Sequence, residues 1–234
     1  MAFVSPAALV FDAGGTVFDW RTPIVEALRR SFPELSSAAF VEIAQDCRGR
    51  FLALNGAVIR GDRAWMGADA VFAEAIDASL ESSGLQPPAA GDDIRYAWRR
   101  MPAWEGAADA IATLRKRWAV APLTVLSLPM ILGSSREAGV VWDCVFSCDL
   151  LGIYKPDPRC FSQTTDLLAV DKADIMMVAS HPSDLRAARD AGWRTGYIRA
   201  TLFDPDDDYE DRGFGREFDL VVDDFAELVT KMCA

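Results

Sequence analysis

Histidine and lysine are scarce in this chain: one histidine, His181, and four lysines, Lys116, Lys155, Lys172 and Lys231, among 234 residues. A zinc site of mixed cysteine and imidazole ligands is excluded, because Cys144 and Cys148 lack its spacing and its partners. The five cysteines, Cys47, Cys144, Cys148, Cys160 and Cys233, fit reduced thiols better than a disulfide framework. Positive charge is also short. Lys and Arg number 24 against 35 Asp and Glu, giving a net charge of −11 and a pI of about 4.6. Such a surface repels phosphate backbones and anionic lipid heads, so neither nucleic acid nor a membrane surface is expected as a partner. An anionic substrate needs a local cationic pocket. Long hydrophobic runs are missing too: "LTVLSLPMILG" falls well short of the ~18 residues of a membrane span. The first residues have no basic flank and Asp12 interrupts their apolar run, so no signal peptide and a cytoplasmic setting are expected. No G-x-S-x-G elbow occurs, and Ser183 and Asp184 lie too close to His181 in sequence for a serine-hydrolase triad.

What is present reads as a globular protein, 51% hydrophobic and 25% charged, of a size that suits one medium domain or a core with a modest insert. "ALVFD" is a buried strand that delivers an acid, Asp12, into a glycine turn. Apolar residues then recur at helical spacing in "PIVEALRRSF", "SAAFVEIAQDCRGRFLAL" and "AWMGADAVFAEAIDASLESSG". From about residue 100, strands ("APLTVLS", "CVFSCDLLG", "ADIMMVAS", "TGYIRA", "DLVVDD") alternate with helices such as "DLRAARDAGW". The expectation is an α/β fold: a Rossmann-like parallel sheet with helices on both faces and an inserted α-helical cap. Residues 1–20 and 100–234 make the core and 21–99 the cap. In such sheets chemistry sits at the C-terminal strand ends. Asp12, Ser127, Lys155 and Asp184 fall there. The acidic "DPDDDYEDRGFGREFD" lacks the alternation and closing glutamate of an EF-hand loop and reads as a solvated surface loop. Bland roles stand beside the chemical ones: Asp12 as a helix cap, Ser127 as a strand-end cap, Lys155 and Arg48 as surface cations, His181 as a structural histidine.

The segments "FDAGGT", the strand ending in Ser127, "YKPDPRCF" and "VASHPSDLRAARDAGW" occur in an order that resembles the haloacid dehalogenase superfamily. The phosphatases of that superfamily open on Asp-x-Asp, where the second acid protonates a poor leaving group. Here Gly14 stands in its place. A halide needs no such acid, and the chain is similar to the type II L-2-haloacid dehalogenases, whose opening motif also lacks it. "FDWRTP" and "QDCRGRFLAL" look like the same branch; the latter puts Arg48 where these enzymes carry a cap arginine that receives the halide.

The resemblance implies that Asp12 attacks C2 of a short 2-halocarboxylate, forms an aspartyl ester, and is freed by water to give a 2-hydroxy acid, with no metal and no cofactor. Lys155 keeps Asp12 ionised, and Asp184 holds Lys155 and positions the water. Thr16 and Ser127 donate to Asp12 or to the substrate carboxylate, and backbone N–H groups beside Gly14 and Gly15 extend the anion cradle. Leu128, Ser180 and His181 complete the substrate side. The partners implied are a small anionic substrate and halide, and a homodimer is common among the look-alikes. The chain departs from the branch at several points. An aromatic is replaced by Gly14, an asparagine by Leu128, a tyrosine by Phe161, a serine and an asparagine by Ala179 and His181, and a tryptophan by Ser183. A magnesium-dependent phosphatase using Asp12, the Gly14 carbonyl and Asp184 is one alternative, and a catalytically silent binding protein another. A phosphonoacetaldehyde hydrolase would need a cap lysine, and the first lysine, Lys116, comes after the cap.

Overall fold

The computed structural model describes residues 5–87, 89, 93–199 and 217–234. Six parallel strands form one sheet in the order β3-β2-β1-β4-β5-β6. They are β1 (Ala8–Phe11), β2 (Ala119–Thr124), β3 (Phe146–Ser147), β4 (Ile175–Ala179), β5 (Arg194–Ile198) and β6 (Leu220–Val222). β1 lies in the middle, with Leu9 opposite Val120 of β2 and Met176 of β4. Successive side chains of a strand face opposite ways. Leu9 and Phe11 therefore join one buried cluster and Val10 another on the far face. Both faces are covered, which is why the central strands read as unbroken apolar runs rather than as alternation.

Between β1 and β2 the described residues contain helices and no strand: α1 (Arg21–Ser31), α2 (Ser37–Ile59), α3 (Ala68–Ser82), a 3₁₀ helix (Asp93–Arg100) and α4 (Ala107–Leu114). Ser36 starts α2 by accepting from the Ala39 N–H at 3.2 Å. Phe40, Ile43, Ala44, Cys47 and Phe51 form its buried stripe. Trp98 fastens these helices together. It stacks on Phe72 at 4.4 Å, meets Phe51 edge-on at 4.8 Å, and donates its indole N–H to the Trp20 carbonyl at 2.8 Å.

The remaining helices are α5 (Leu128–Ala138), α6 (Cys148–Leu151), α7 (Pro158–Leu168), α8 (Pro182–Asp190) and α9 (Phe225–Cys233). Polar ties bind the inserted segment to the sheet's C-terminal edge. Tyr154 donates to the Met66 carbonyl at 2.8 Å, and Asp149 accepts from the Ala68 N–H at 3.3 Å. A parallel α/β sheet with helices on both faces is thus observed as expected. No helix of the described residues is long and apolar enough to cross a membrane. All five cysteines are free thiols. Most of the acidic segment, residues 204–216, lies outside the described residues; at its end Asp219 accepts from the backbone and hydroxyl of Thr195, both at 2.9 Å.

Candidate active site

The strand order reverses beside β1, whose neighbours are β2 and β4, and a crevice opens at the C-terminal ends of such strands. Asp12 is the first residue past β1, its N–H still donating to the Val178 carbonyl at 3.0 Å. The chain then turns through Ala13 and two glycines, and Val17 and Phe18 both donate to the Ala13 carbonyl at 2.9 Å. Gly15 has φ +89°, a conformation that side chains rarely adopt. A Cβ there would also stand 2.8 Å from His181 Cε1, so the glycine makes room for the imidazole. Gly14 is different: a Cβ there would meet only Leu126, at 3.7 Å, an ordinary contact. Gly15→Ala is expected to destabilise the fold by about 1–3 kcal/mol and to displace His181, read as a lowered Tm.

Asp12 is buried and engaged at both oxygens. Oδ1 accepts from Lys155 Nζ at 2.8 Å; Oδ2 accepts from Thr16 Oγ1 at 2.7 Å and lies 2.9 Å from His181 Nδ1. Thr16 Oγ1 in turn accepts from the Ser180 N–H at 2.9 Å, tying the turn to the end of β4. Lys155, buried in the loop between α6 and α7, reaches Asp184 Oδ2 at 2.7 Å as well. Asp184 sits in the first turn of α8, where the helix dipole favours a carboxylate.

Charge follows from this packing. Burial pushes the Asp12 carboxyl up, but the Lys155 ammonium and His181 pull harder and leave it well below the usual carboxylate range. Burial disfavours the Lys155 ammonium, yet the two carboxylates raise its pKa above the ordinary lysine value. Asp184 is raised, by burial and by the charge of Asp12 against the opposing pull of Lys155. Burial disfavours protonated His181; its bond to Asp12 outweighs this and raises its pKa, with Arg48 opposing.

Arg48 arrives from α2. Its guanidinium lies 4.5 Å over the Trp20 ring, and Nη2 is 3.1 Å from His181 Nε2. Arginine has no acceptor, so the tautomer in which Nε2 accepts from Arg48 carries its proton on Nδ1, facing Asp12, and the protonated ring keeps that Nδ1–H as well. A cavity of about 230 Å³ opens here. Its polar wall is Asp12, Lys155, His181, Asp184, Ser183 and Arg48, and its apolar wall includes Trp20, Phe51, Leu52, Trp98, Val125 and Leu126.

The structure therefore brings Asp12, Gly14, Thr16, Arg48, Lys155, His181 and Asp184 together. Ser127 and Leu128 stand elsewhere: the Ser127 hydroxyl caps α5, accepting from the Met130 N–H at 3.2 Å, and the Leu128 N–H donates to Asp149 at 3.2 Å. Neither lines the cavity; Val125 and Leu126 of the same loop do. Ser180 takes part through its backbone, and Gly15 through the space it leaves. Trp20, Phe51, Leu52 and Trp98 are site residues to which the motifs gave no role. For Phe51 and Leu52 the available signal was helical spacing, three and four residues after Arg48.

Residues 6–192 match the haloacid dehalogenase-like hydrolase family. The chain belongs to this family. It is similar to a curated (S)-2-haloacid dehalogenase of Xanthobacter autotrophicus, 29% identical over 82% of this chain and 74% of that one. Among solved structures, it resembles an L-2-haloacid dehalogenase at TM-score 0.89 and 27% identity, over 97% of this chain and 100% of the other. A defluorinating L-2-haloacid dehalogenase superposes at TM-score 0.91 and 26% identity over 100% of both chains.

For a haloacid dehalogenase-like hydrolase the question of a divalent cation is decided by the donor set. Asp12, His181 and Asp184 offer ligand atoms within 4.8 Å of one another. Magnesium asks for about six oxygens near 2.1 Å. Here one of the three groups is an imidazole, and the Lys155 ammonium bonds both carboxylates at 2.8 and 2.7 Å. The Lys155 ammonium thus already compensates both carboxylates, and the residues do not fit magnesium.

Proposed function

We propose that this protein is an L-2-haloacid dehalogenase acting on short 2-halocarboxylates. One observation carries this: a buried, ionised Asp12 and the permanently charged Arg48 wall the same cavity, and Gly14 leaves no leaving-group acid between them. Asp12 attacks C2 from behind and the halide departs toward Arg48, whose weakly hydrated guanidinium suits a soft anion. Water then attacks the aspartyl ester, with Asp184 as its base; a raised pKa favours that task. Lys155 keeps Asp12 ionised for the next cycle. The product is a 2-hydroxy acid of inverted configuration, and the reaction needs no cofactor. The helices between β1 and β2 act as the cap that brings Arg48 over the nucleophile. The partners are the small anionic substrate and halide. The free thiols support a cytoplasmic setting, and exposed Trp65 and Leu150 offer apolar surface for a homodimer.

The test is chloride release from L-2-chloropropionate by the purified protein with EDTA present. Release that EDTA leaves unchanged is expected. No release at high substrate, together with magnesium-dependent cleavage of an aryl phosphate, would overturn the assignment.

A further inference from the structure

The two oxygens of the Asp12 carboxylate are not equivalent. A carboxylate oxygen offers two lone pairs. On Oδ2 both are engaged, by Thr16 at 2.7 Å and His181 at 2.9 Å; on Oδ1 one is engaged, by Lys155 at 2.8 Å, and one remains for attack. Building on the dehalogenation proposed above, we propose that Oδ1 is the attacking atom and that Thr16 and His181 form an oxyanion hole around Oδ2 for ester hydrolysis. His181 is then a catalytic residue of the second half-reaction.

The atoms balance as follows. Oδ1 bonds to C2 while the carbon–halogen pair leaves with the halide, and Oδ2 becomes the ester carbonyl. Water adds to Cγ and gives one proton to Asp184, and the carbonyl pair moves onto Oδ2. There the Thr16 hydroxyl and the His181 Nδ1–H already point, so no reorganisation is needed as the charge develops. Collapse breaks the Cγ–Oδ1 bond. The product oxygen takes a proton from Lys155 Nζ, which recovers it from Asp184 across their 2.7 Å contact. The regenerated Asp12 carboxyl loses its proton to solvent. Substrate and water have become 2-hydroxy acid, halide and one proton.

Two further features fix the imidazole in this role. Arg48 donates to Nε2 and so leaves the proton on Nδ1, the nitrogen that faces Oδ2. Gly15 leaves the space that the ring occupies. The charged groups around the ring are Asp12 from the end of β1, Asp184 from α8 and Arg48 from α2, with Lys155 bonded to both carboxylates.

Wild type, His181→Ala and His181→Asn are mixed with excess L-2-chloropropionate, quenched at intervals, and followed by chloride release and by the mass of the intact protein. In His181→Ala the slowing of later turnover is expected to exceed that of the first equivalent of chloride by about 100-fold. Most molecules should then carry the covalent substrate skeleton. His181→Asn keeps an N–H on a shorter side chain and is expected to accumulate less ester. A wild type that releases chloride beside a His181→Ala protein with no ester build-up, or with a first equivalent slowed as much as later turnover, overturns the oxyanion assignment alone. Equal ester build-up in the Ala and Asn variants also overturns the donor role. A wild type that releases no chloride overturns the dehalogenase proposal and this one with it.

Discussion

Asp12→Asn is expected to lose chloride release by about 10⁴-fold or more while remaining folded. Of the two carboxylates among the described residues that line the cavity, Asp184 is raised, while Asp12 is the one held below the usual carboxylate range. Burial works against its charge, and the Lys155 and His181 contacts overcome that cost, so Asp12 does not wait for a base. An amide oxygen is neutral and a poor nucleophile toward carbon. The amide nitrogen would also face a donor whichever way it turned, Lys155 on one side or Thr16 and His181 on the other. One donor against another in a buried site costs about 1–3 kcal/mol. The fold should survive this, because Lys155 keeps Asp184 as a partner at 2.7 Å. Chloride release and urea unfolding measured side by side separate the two effects. A variant that stays within tenfold of wild type would remove Asp12 as the nucleophile.

Much of this was legible in the chain because the signals are local. A strand buried on both faces must be an unbroken apolar run, and "ALVF" ending in Asp12 announces a carboxylate at the rim of a sheet. Lysine is rare here, so Lys155 beside a proline after a strand stood out. Other parts were not legible, because they depend on residues far apart in sequence. His181 meets Asp12, 169 positions away, and Arg48, 133 positions away. No local pattern reports that meeting. The apolar wall of Trp20, Phe51 and Trp98 arises where the helical segment folds back on the β1 loop, and in sequence these residues look like ordinary core. Ser127 shows the opposite case: its place at a strand end was readable, but the same place is the N-cap of α5, where its oxygen accepts from the Met130 N–H at 3.2 Å.

Lys155→Met should be the second most damaging change, and its effect should depend on pH in a direction the wild type does not share. The ammonium bonds Asp12 and Asp184 together, so without it two buried carboxylates face each other across the space it filled. Such a pair cannot keep both charges, and one pKa rises well above the ordinary 3.8. In the wild type the folded pKa of Asp12 is lowered, so its contribution to stability is present above the unfolded value and is lost only as pH falls through the folded one. The folded pKa of Lys155 is raised, so its contribution is present below the ordinary 10.5 and fades only as pH rises through the higher value. The variant reverses the carboxylate case. A raised folded pKa means the native state binds the extra proton, so the loss is full above that pKa and stability recovers as pH falls through it toward the ordinary carboxylate value. At pH 8 the loss should be about 3–5 kcal/mol, the usual cost of stranding a buried charge, and at pH 5 it should be smaller. Activity should fall by about 10³-fold or more at pH 7, because the nucleophile is now often protonated and the leaving alkoxide has lost its proton donor. Urea unfolding at the two pH values reads the first effect and chloride release across pH reads the second. A loss of stability that is the same at pH 5 and pH 8 would mean that the ammonium is not what keeps Asp12 ionised.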